Sequence, residues 1–441
     1  MLDTLFHIPH DFFGIPVFGV GWALGIWIVL GVAMTAVGMG RGEGATDWKS
    51  NLPLFIVVAL VIWLALPQVE ERGFEGEPLG LPIRGFGTMV MLGAISGVAI
   101  MMYRAKQMGA DLERLSSLAF VACVAGFVGA RAFYVTQYFD DFRRDSVMET
   151  VKQLLKFTEG GMVIYGGVLG GFAAGIFYTW RHRMPILAHC DLIAPSLAIG
   201  MAIGRLGCFC HGCCFAGACD PGVCTVQFPQ GSPPYWHQFR RGQLHGIRIE
   251  AGPDGTPTVG AVEPDSAAAK ASVVPGGRIV AIRGRSVTGL KDAYLDPSAD
   301  FVPEISLTMA DGMEYRWSVS TLPPRARPVQ PVQLFSFVSS LALCAVLWTW
   351  YPFRRRDGEN LGLLMLMYPI ARTLEEMIRD DEAGKFGTSL TISQWISLGL
   401  LAGSLGVWAY VLRKPPGILR PLSQNSGTFE SAPSSEQVTR R

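Results

Sequence analysis

Charge is scarce in this sequence. Asp, Glu, Lys and Arg supply only 17% of its 441 residues while half are hydrophobic, and the mean hydropathy is +0.31. With several apolar runs close to the roughly 20 residues that cross a bilayer, those values describe a polytopic membrane protein. The two signs nearly cancel, leaving +1, so nothing in the balance points to a nucleic-acid partner. None of the seven histidines is followed by glutamate in an H-E-x-x-H arrangement, which excludes a zinc membrane protease of that type; no metal or cofactor is expected. A basic n-region, short apolar core and cleavage site are also missing at the start, so the first apolar run is expected to be a retained helix.

What is present is a series of apolar segments. Nine candidate spans run from Ile15 to Val37, Leu52 to Leu66, Phe86 to Tyr103, Leu115 to Tyr138, Met162 to Trp180, Leu192 to Ile203, Gln333 to Trp350, Leu361 to Ile378 and Leu390 to Leu412. The second and sixth are short for a crossing. Basic residues collect in alternate connections, at Arg41/Lys49, Arg104/Lys106/Arg114, Arg181/Arg183, Arg354/Arg355/Arg356 and Arg413/Lys414. By the positive-inside rule these face the cytoplasm, which puts the amino terminus outside.

Three apolar segments carry an arginine: Arg131 in FVGARAFYV, Arg205 in IGRLGCFCHGCCFAG and Arg372 in LMLMYPIARTLEEMIRD. An arginine near the bilayer centre costs at least about 2.5 kcal/mol, so such residues face a bundle interior and mark a ligand or ion path. Pairing with carboxylates that merely pin helices together is the other reading. Tyr368, Arg372, Glu375 and Arg379 are spaced by four, three and four, one face of a helix. With Arg205 and Arg131 they can form a cationic pocket for a lipid phosphate, since a guanidinium fork binds two phosphate oxygens at once.

Six of the nine cysteines, Cys208, Cys210, Cys213, Cys214, Cys219 and Cys224, fall within 17 residues. At the outer end of a helix, disulfides bracing the loop are expected. A metal site using cysteine with His211 and a redox role for Cys213-Cys214 are the alternatives.

Hydropathy falls between Ala218 and Pro331, which marks an insertion on the outer face. From about 243 to 320, short β-rich runs (GIRIEA, GRIVAIRG, EISLTM, EYRWSVS) alternate with Gly and Pro turns. The run AVEPDSAAAKASVVPGGRIVAIRGRSVTGLKD resembles a PDZ domain, with Arg278 where that family carries Asp. Leu244-His245-Gly246-Ile247 is similar to the loop that receives a peptide carboxylate in that family. The tail from Pro415 to Arg441, rich in Ser, Pro, Gln and Thr, is expected to be disordered.

From Leu79 to Val411, apart from the insertion, the chain resembles the prolipoprotein diacylglyceryltransferases. The resemblance rests on an ordered set of motifs: Gly85-Phe86-Gly87-Thr88-Met89, Gly129-Ala130-Arg131-Ala132-Phe133-Tyr134, Glu159 through Gly170, Asp191 through Pro195 followed by Gly204-Arg205-Leu206-Gly207, Pro331-Val332-Gln333-Leu334-Phe335, and Tyr368 through Asp380. It implies a mainly α membrane bundle: a seven-helix core in two parts (79–217 and 332–414), preceded here by an extra helix pair (1–75) and interrupted by the insertion (218–331). The implied activity moves a diacylglyceryl group from phosphatidylglycerol to the lipobox cysteine thiol of a prolipoprotein at the outer face of a bacterial cytoplasmic membrane. A non-catalytic lipid-binding or assembly protein on the same fold is the rival.

On that resemblance Arg205 and Arg372 belong to the catalytic set. Phe86, Gly87, Arg131, Gly166, Gly167, Tyr368, Glu375 and Arg379 belong to substrate binding; Gly166 and Gly167 either let their amides approach the lipid or serve plain helix packing. The chain departs from the family where a thiol-activating histidine is expected, which is Tyr165. It departs again after the signature arginine, where Cys208, His211 and Cys213 replace Asn, Asn and Glu. His211 first and Tyr165 second are the candidates for the base.

Overall fold

The computed structural model describes residues 4–40, 55–56, 58–72, 77–142, 146, 148–150, 163–252, 254–287, 289, 304–382 and 384–418. The expected disordered tail, the basic pair Arg41/Lys49 and the motif residues Glu159 to Met162 lie outside them, apart from Pro415 to Ile418.

The chain begins with strand β1 (Thr4–Ile8) and helix α1 (Trp22–Gly40). A shorter apolar helix, α2 (Val58–Val69), contains one π-helical turn, and strand β2 (Pro78–Arg84) follows. β1 pairs antiparallel with β2, from Thr4 opposite Arg84 to Ile8 opposite Leu81. The first segment is therefore stitched to the entrance of the main bundle, and Ile15 and Pro16, expected inside a span, lie in a two-residue hairpin strand before α1.

The main bundle consists of α3 (Gly85–Gln107), α4 (Leu112–Gln137), α5 (Ile164–Arg181) and α6 (Ile186–His211). After the insertion it continues with α8 (Val332–Trp350), α9 (Glu359–Glu376) and α10 (Ile392–Arg413). Among the described residues five helices are long and apolar enough to cross a membrane: α3, α4, α6, α8 with its 3-10 extension to Phe353, and α10. That is fewer than the nine spans expected from hydropathy; α5 and α9 are helices of 18 residues. The sixth candidate, read as short, is instead the 26-residue α6, because its polar residues are turned inward against partner helices.

α6 is the hub, packing on α3, α8 and α9, while α4 pairs with α5 and α9 with α10. Small residues let backbones approach closely at these seams. At the α4–α5 seam a Cβ on Gly166 would come within 2.3 Å of the Gly129 carbonyl oxygen. The Gly166 and Gly167 amides both donate to the Val163 carbonyl, at 3.1 and 3.3 Å. These glycines make a close helix contact, and their N–H groups bond within the first turn of α5.

At the end of the bundle that carries Arg104, Arg181, Arg354 and Arg413, Asp191 fastens α6 to α9. Its buried carboxylate accepts from the Gly358 and Leu361 amides at 2.7 and 2.9 Å, and Arg354 Nε lies 3.5 Å away. It satisfies amide donors that the first turn of a helix leaves open.

The insertion builds a separate core. Helix α7 (Pro233–Arg240) precedes a hairpin of β3 (Ile247–Ala251) and β4 (Pro257–Val262). Strands β5 (Ile279–Ile282), β6 (Arg285–Ser286), β7 (Glu304–Met309) and β8 (Glu314–Ser318) form an antiparallel sheet in the order β8-β7-β5-β6. Phe228, Tyr235, Ile247, Val259, Ile279, Leu307 and Trp317 fill the space between these elements, and Phe209 of α6 packs against them.

Candidate functional site: a polar run at the insertion end of the bundle

α6 ends in a tight reversal. Gly212 takes φ +86° and its amide caps the helix by donating to the Cys208 carbonyl at 2.8 Å. The next residues therefore fold back on the last turn. Gln333 of α8 holds the reversal by donating from Nε2 to the Cys213 carbonyl at 2.7 Å. Cys214 adopts φ +59°, a left-handed conformation that costs a side-chain-bearing residue roughly 1–2 kcal/mol.

The consequence is convergence of three sulfurs: those of Cys208, Cys213 and Cys214 lie within 4.8 Å of one another. All nine cysteines are free thiols, so the expected bracing disulfides are not formed. Cys219 Sγ donates to the Pro328 carbonyl, Cys210 is half-buried and Cys224 is exposed.

Arg205, one turn before Cys208, donates from Nη1 toward Cys214 Sγ at 3.8 Å. Tyr368 and Glu375 of α9 lie within its electrostatic reach. Hydrogen bonds from Cys208 and Cys213 hold the Cys214 thiol below its usual pKa, and the charges of Arg379 and Arg205 act in the same direction against burial. Arginines from two parts of the chain thus address one sulfur.

From Arg379 the run continues without a break. Arg379 forks onto Asp381, with Nε and Nη2 each 2.8 Å from a carboxylate oxygen, and its Nη1 reaches Glu376 Oε2 at 3.0 Å. The same oxygen accepts from Arg372 Nη2 at 2.8 Å. Arg372 Nη2 also donates to Ser393 Oγ at 2.9 Å, and Ser393 lies 3.4 Å from the Tyr165 hydroxyl. Arg372 Nη1 and Glu376 Oε1 are buried with no hydrogen-bond partner among the described residues. A buried guanidinium N–H left open costs on the order of 1–3 kcal/mol or more, which marks it as a donor waiting for an acceptor.

Several expected residues sit differently. α9 ends at Glu376, so Arg379 reaches the cluster from the following turn, where Ala216 and Arg379 form an antiparallel bridge. The partner of Arg372 is Glu376; Glu375 turns to α8 and accepts from Ser336 and Ser339 at 2.5 and 2.6 Å. His211 stands six residues beyond Arg205, about 240° around the helix at 100° per residue. Its ring lies 6.3 Å from that of Phe86 on α3. Phe86 is exposed, and Gly87 opens onto free space. Arg131 is buried with its guanidinium over Tyr134 and Phe142, at 5.7 and 5.4 Å.

Glu376, Ser336, Ser339 and Ser393 were not singled out from the sequence, and Gln333 entered only as part of the Pro331-Val332-Gln333-Leu334-Phe335 motif. Gln333, Ser336 and Ser339 repeat at intervals of three on α8, a polar stripe on an otherwise apolar helix that was the available signal.

The family model for prolipoprotein diacylglyceryl transferase matches residues 77–410. This chain belongs to that family. A phosphatidylglycerol–prolipoprotein diacylglyceryl transferase of Rhodopirellula baltica is 36% identical, covering 92% of this chain and 88% of its own length. Another so named, from Clostridium perfringens, is 22% identical over 78% of this chain and 95% of its own length.

Proposed function

We propose that this transferase-family chain moves a diacylglyceryl group from phosphatidylglycerol to the lipobox cysteine thiol of prolipoproteins, at the outer face of a bacterial cytoplasmic membrane. The reading rests most on one observation: Arg205 donates toward Cys214, and Glu376 ties Arg379 to Arg372. An anionic headgroup entering there meets guanidinium groups of two helical regions. The phosphoglycerol leaving group departs with an electron pair, and preorganised cationic donors stabilise that charge as it develops. The open Nη1 of Arg372 supplies one donor, and Tyr165 extends the run through Ser393. Phe86 and Gly87, exposed beside the end of α6, border the entrance, while Arg131 and Tyr368 complete the polar lining.

Orientation follows from the basic residues clustered at the opposite end of the bundle, which favour the cytoplasmic side. The β-rich insertion, read as a PDZ-like domain, would then gather or orient the peptide substrate. A cavity of about 310 Å³ lies where the peptide carboxylate is expected; Gln243, Leu244 and Gly246 line it together with Lys270, Asp265 and the Arg327–Glu263 pair.

The test is transfer itself. Purified protein in phosphatidylglycerol micelles is expected to add the mass of a diacylglyceryl group to the cysteine of a lipobox peptide, and to add none when phosphatidylcholine is the only lipid. Lipid binding without turnover would favour the non-catalytic lipid-binding reading instead.

A further inference from the structure

The proposed transfer needs a thiolate, since a free thiol with pKa near 8.5 is only a few per cent ionised at neutral pH. Of the expected bases, the His211 ring lies 6.3 Å from that of Phe86, and the Tyr165 hydroxyl is 3.4 Å from Ser393 Oγ. Beside Arg205 stand three half-buried thiols whose sulfurs lie within 4.8 Å of one another.

We infer that Cys208, Cys213 and Cys214 form a three-thiolate zinc site whose open fourth position takes the thiol of the incoming peptide. The inference rests on the transferase reading for the identity of that thiol.

Four observations carry it. Tetrahedral zinc with Zn–S bonds of about 2.3 Å keeps its sulfurs about 3.8 Å apart, so the three need close by no more than about 1 Å. The turn at Gly212, the capping bond to Cys208 and the Gln333 anchor hold Cys213 and Cys214 against Cys208. Cys214 keeps a left-handed backbone that its side chain disfavours, and strain of this kind persists where the surroundings over-determine it. Three thiolates and Zn²⁺ sum to a charge of −1, and Arg205, 3.8 Å from Cys214 Sγ, offsets it. Sites with three protein ligands keep a position for substrate, whereas four-ligand sites are closed.

The step balances. The peptide thiol loses its proton to solvent water as its sulfur binds the ion, which deprotonates a coordinating thiol at neutral pH. That sulfur's electron pair then forms a C–S bond at the glycerol carbon of the lipid carrying the phosphate, and the C–O bond breaks. The phosphoglycerol leaves with the electron pair toward the arginines and takes up a proton from solvent. Nothing is oxidised or reduced.

The experiment uses the full chain in detergent, purified without air and stripped of metal, then given one equivalent of Zn²⁺. X-ray absorption at the zinc edge is expected to show three sulfur ligands and one lighter atom, and four sulfurs once a lipobox peptide is added. A peptide with serine in place of the cysteine is expected to leave the site at three. Cys208→Ser, Cys213→Ser and Cys214→Ser should each lose the bound zinc, while Cys123→Ser and Cys224→Ser, both at exposed positions, should retain it. Matching melting of the metal-free wild type and variants would separate ligand loss from misfolding. Substoichiometric zinc, a site unchanged by the peptide thiol, or a disulfide within the trio in the air-free protein would overturn the inference. Full-rate transfer by the metal-free protein would overturn it and leave the transferase reading intact. Zinc bound by four sulfurs with no transfer would keep the site and remove that reading.

Discussion

The end of the bundle where α6 turns at Gly212 and the core of the insertion lie side by side, joined where Phe209 meets Phe228 and where Arg241 pairs with Asp380 at 2.7 Å. They treat ionisable groups in opposite ways. In the insertion His245 is fully buried, and burial pushes its pKa down to about 3, so it stays neutral and accepts from Trp317 Nε1 at 2.9 Å. In the bundle Arg372, Glu376 and Arg379 are equally hidden yet paired as ions. Replacing a buried ion pair with apolar packing is often neutral or stabilising, so stability alone does not explain why the bundle keeps these charges. The insertion's core discharges the histidine it buries, whereas the polar run of the bundle keeps its charges.

The sharpest way to break that contrast is Arg372→Ala. It removes one of the two guanidinium groups on Glu376, which keeps Arg379 at 3.0 Å, and is expected to lower the melting temperature modestly while transfer is lost. Changing Glu376→Gln as well, which takes the carboxylate from both arginines, should not restore the activity. Arg205→Ala, whose guanidinium leans on a thiol rather than a carboxylate, should melt like the wild type while transfer falls about 10²–10³-fold, the cost typical of removing one charge-stabilising donor.

The insertion should respond to acid instead. His245 is held neutral when folded and has an ordinary pKa when unfolded, so its contribution is intact above pH about 6.5 and shrinks below it by about 1.4 kcal/mol per unit, until the folded-state pKa near 3 is reached. Limited proteolysis at pH 5 should therefore open the insertion before the bundle, and His245→Gln should flatten the response. At the small end of the scale, His211→Ala should leave transfer at the wild-type rate, because its ring stands beside that of Phe86.

Much of this arrangement was legible in the sequence. Hydropathy located α3, α4, α8 and α10 within a few residues, and an arginine in an apolar run drew attention to Arg205 and Arg372, which lie at Cys214 and Glu376 respectively. Hydropathy failed at α6, because His189, Asp191 and Arg205 lower a window average whether they face lipid or a partner helix. Periodicity could not choose between Glu375 and Glu376 as the mate of Arg372, since both lie within one turn. The choice is made by Ser336 and Ser339, 36 or more residues away in sequence. Cysteine spacing suggested cross-links, but the turn at Gly212 that gathers three thiols was not visible as a spacing. The pairing of Thr4–Ile8 with Pro78–Arg84 joins segments more than 70 residues apart, with no local signature.

The most direct measurement is a double-mutant cycle on phosphatidylglycerol binding, with Arg205→Gln, Arg372→Gln and the double variant assayed without acceptor peptide. If both guanidinium groups grip one headgroup, the losses should couple by about 0.5–3 kcal/mol, as groups sharing a partner do. Losses that simply add would contradict a shared site.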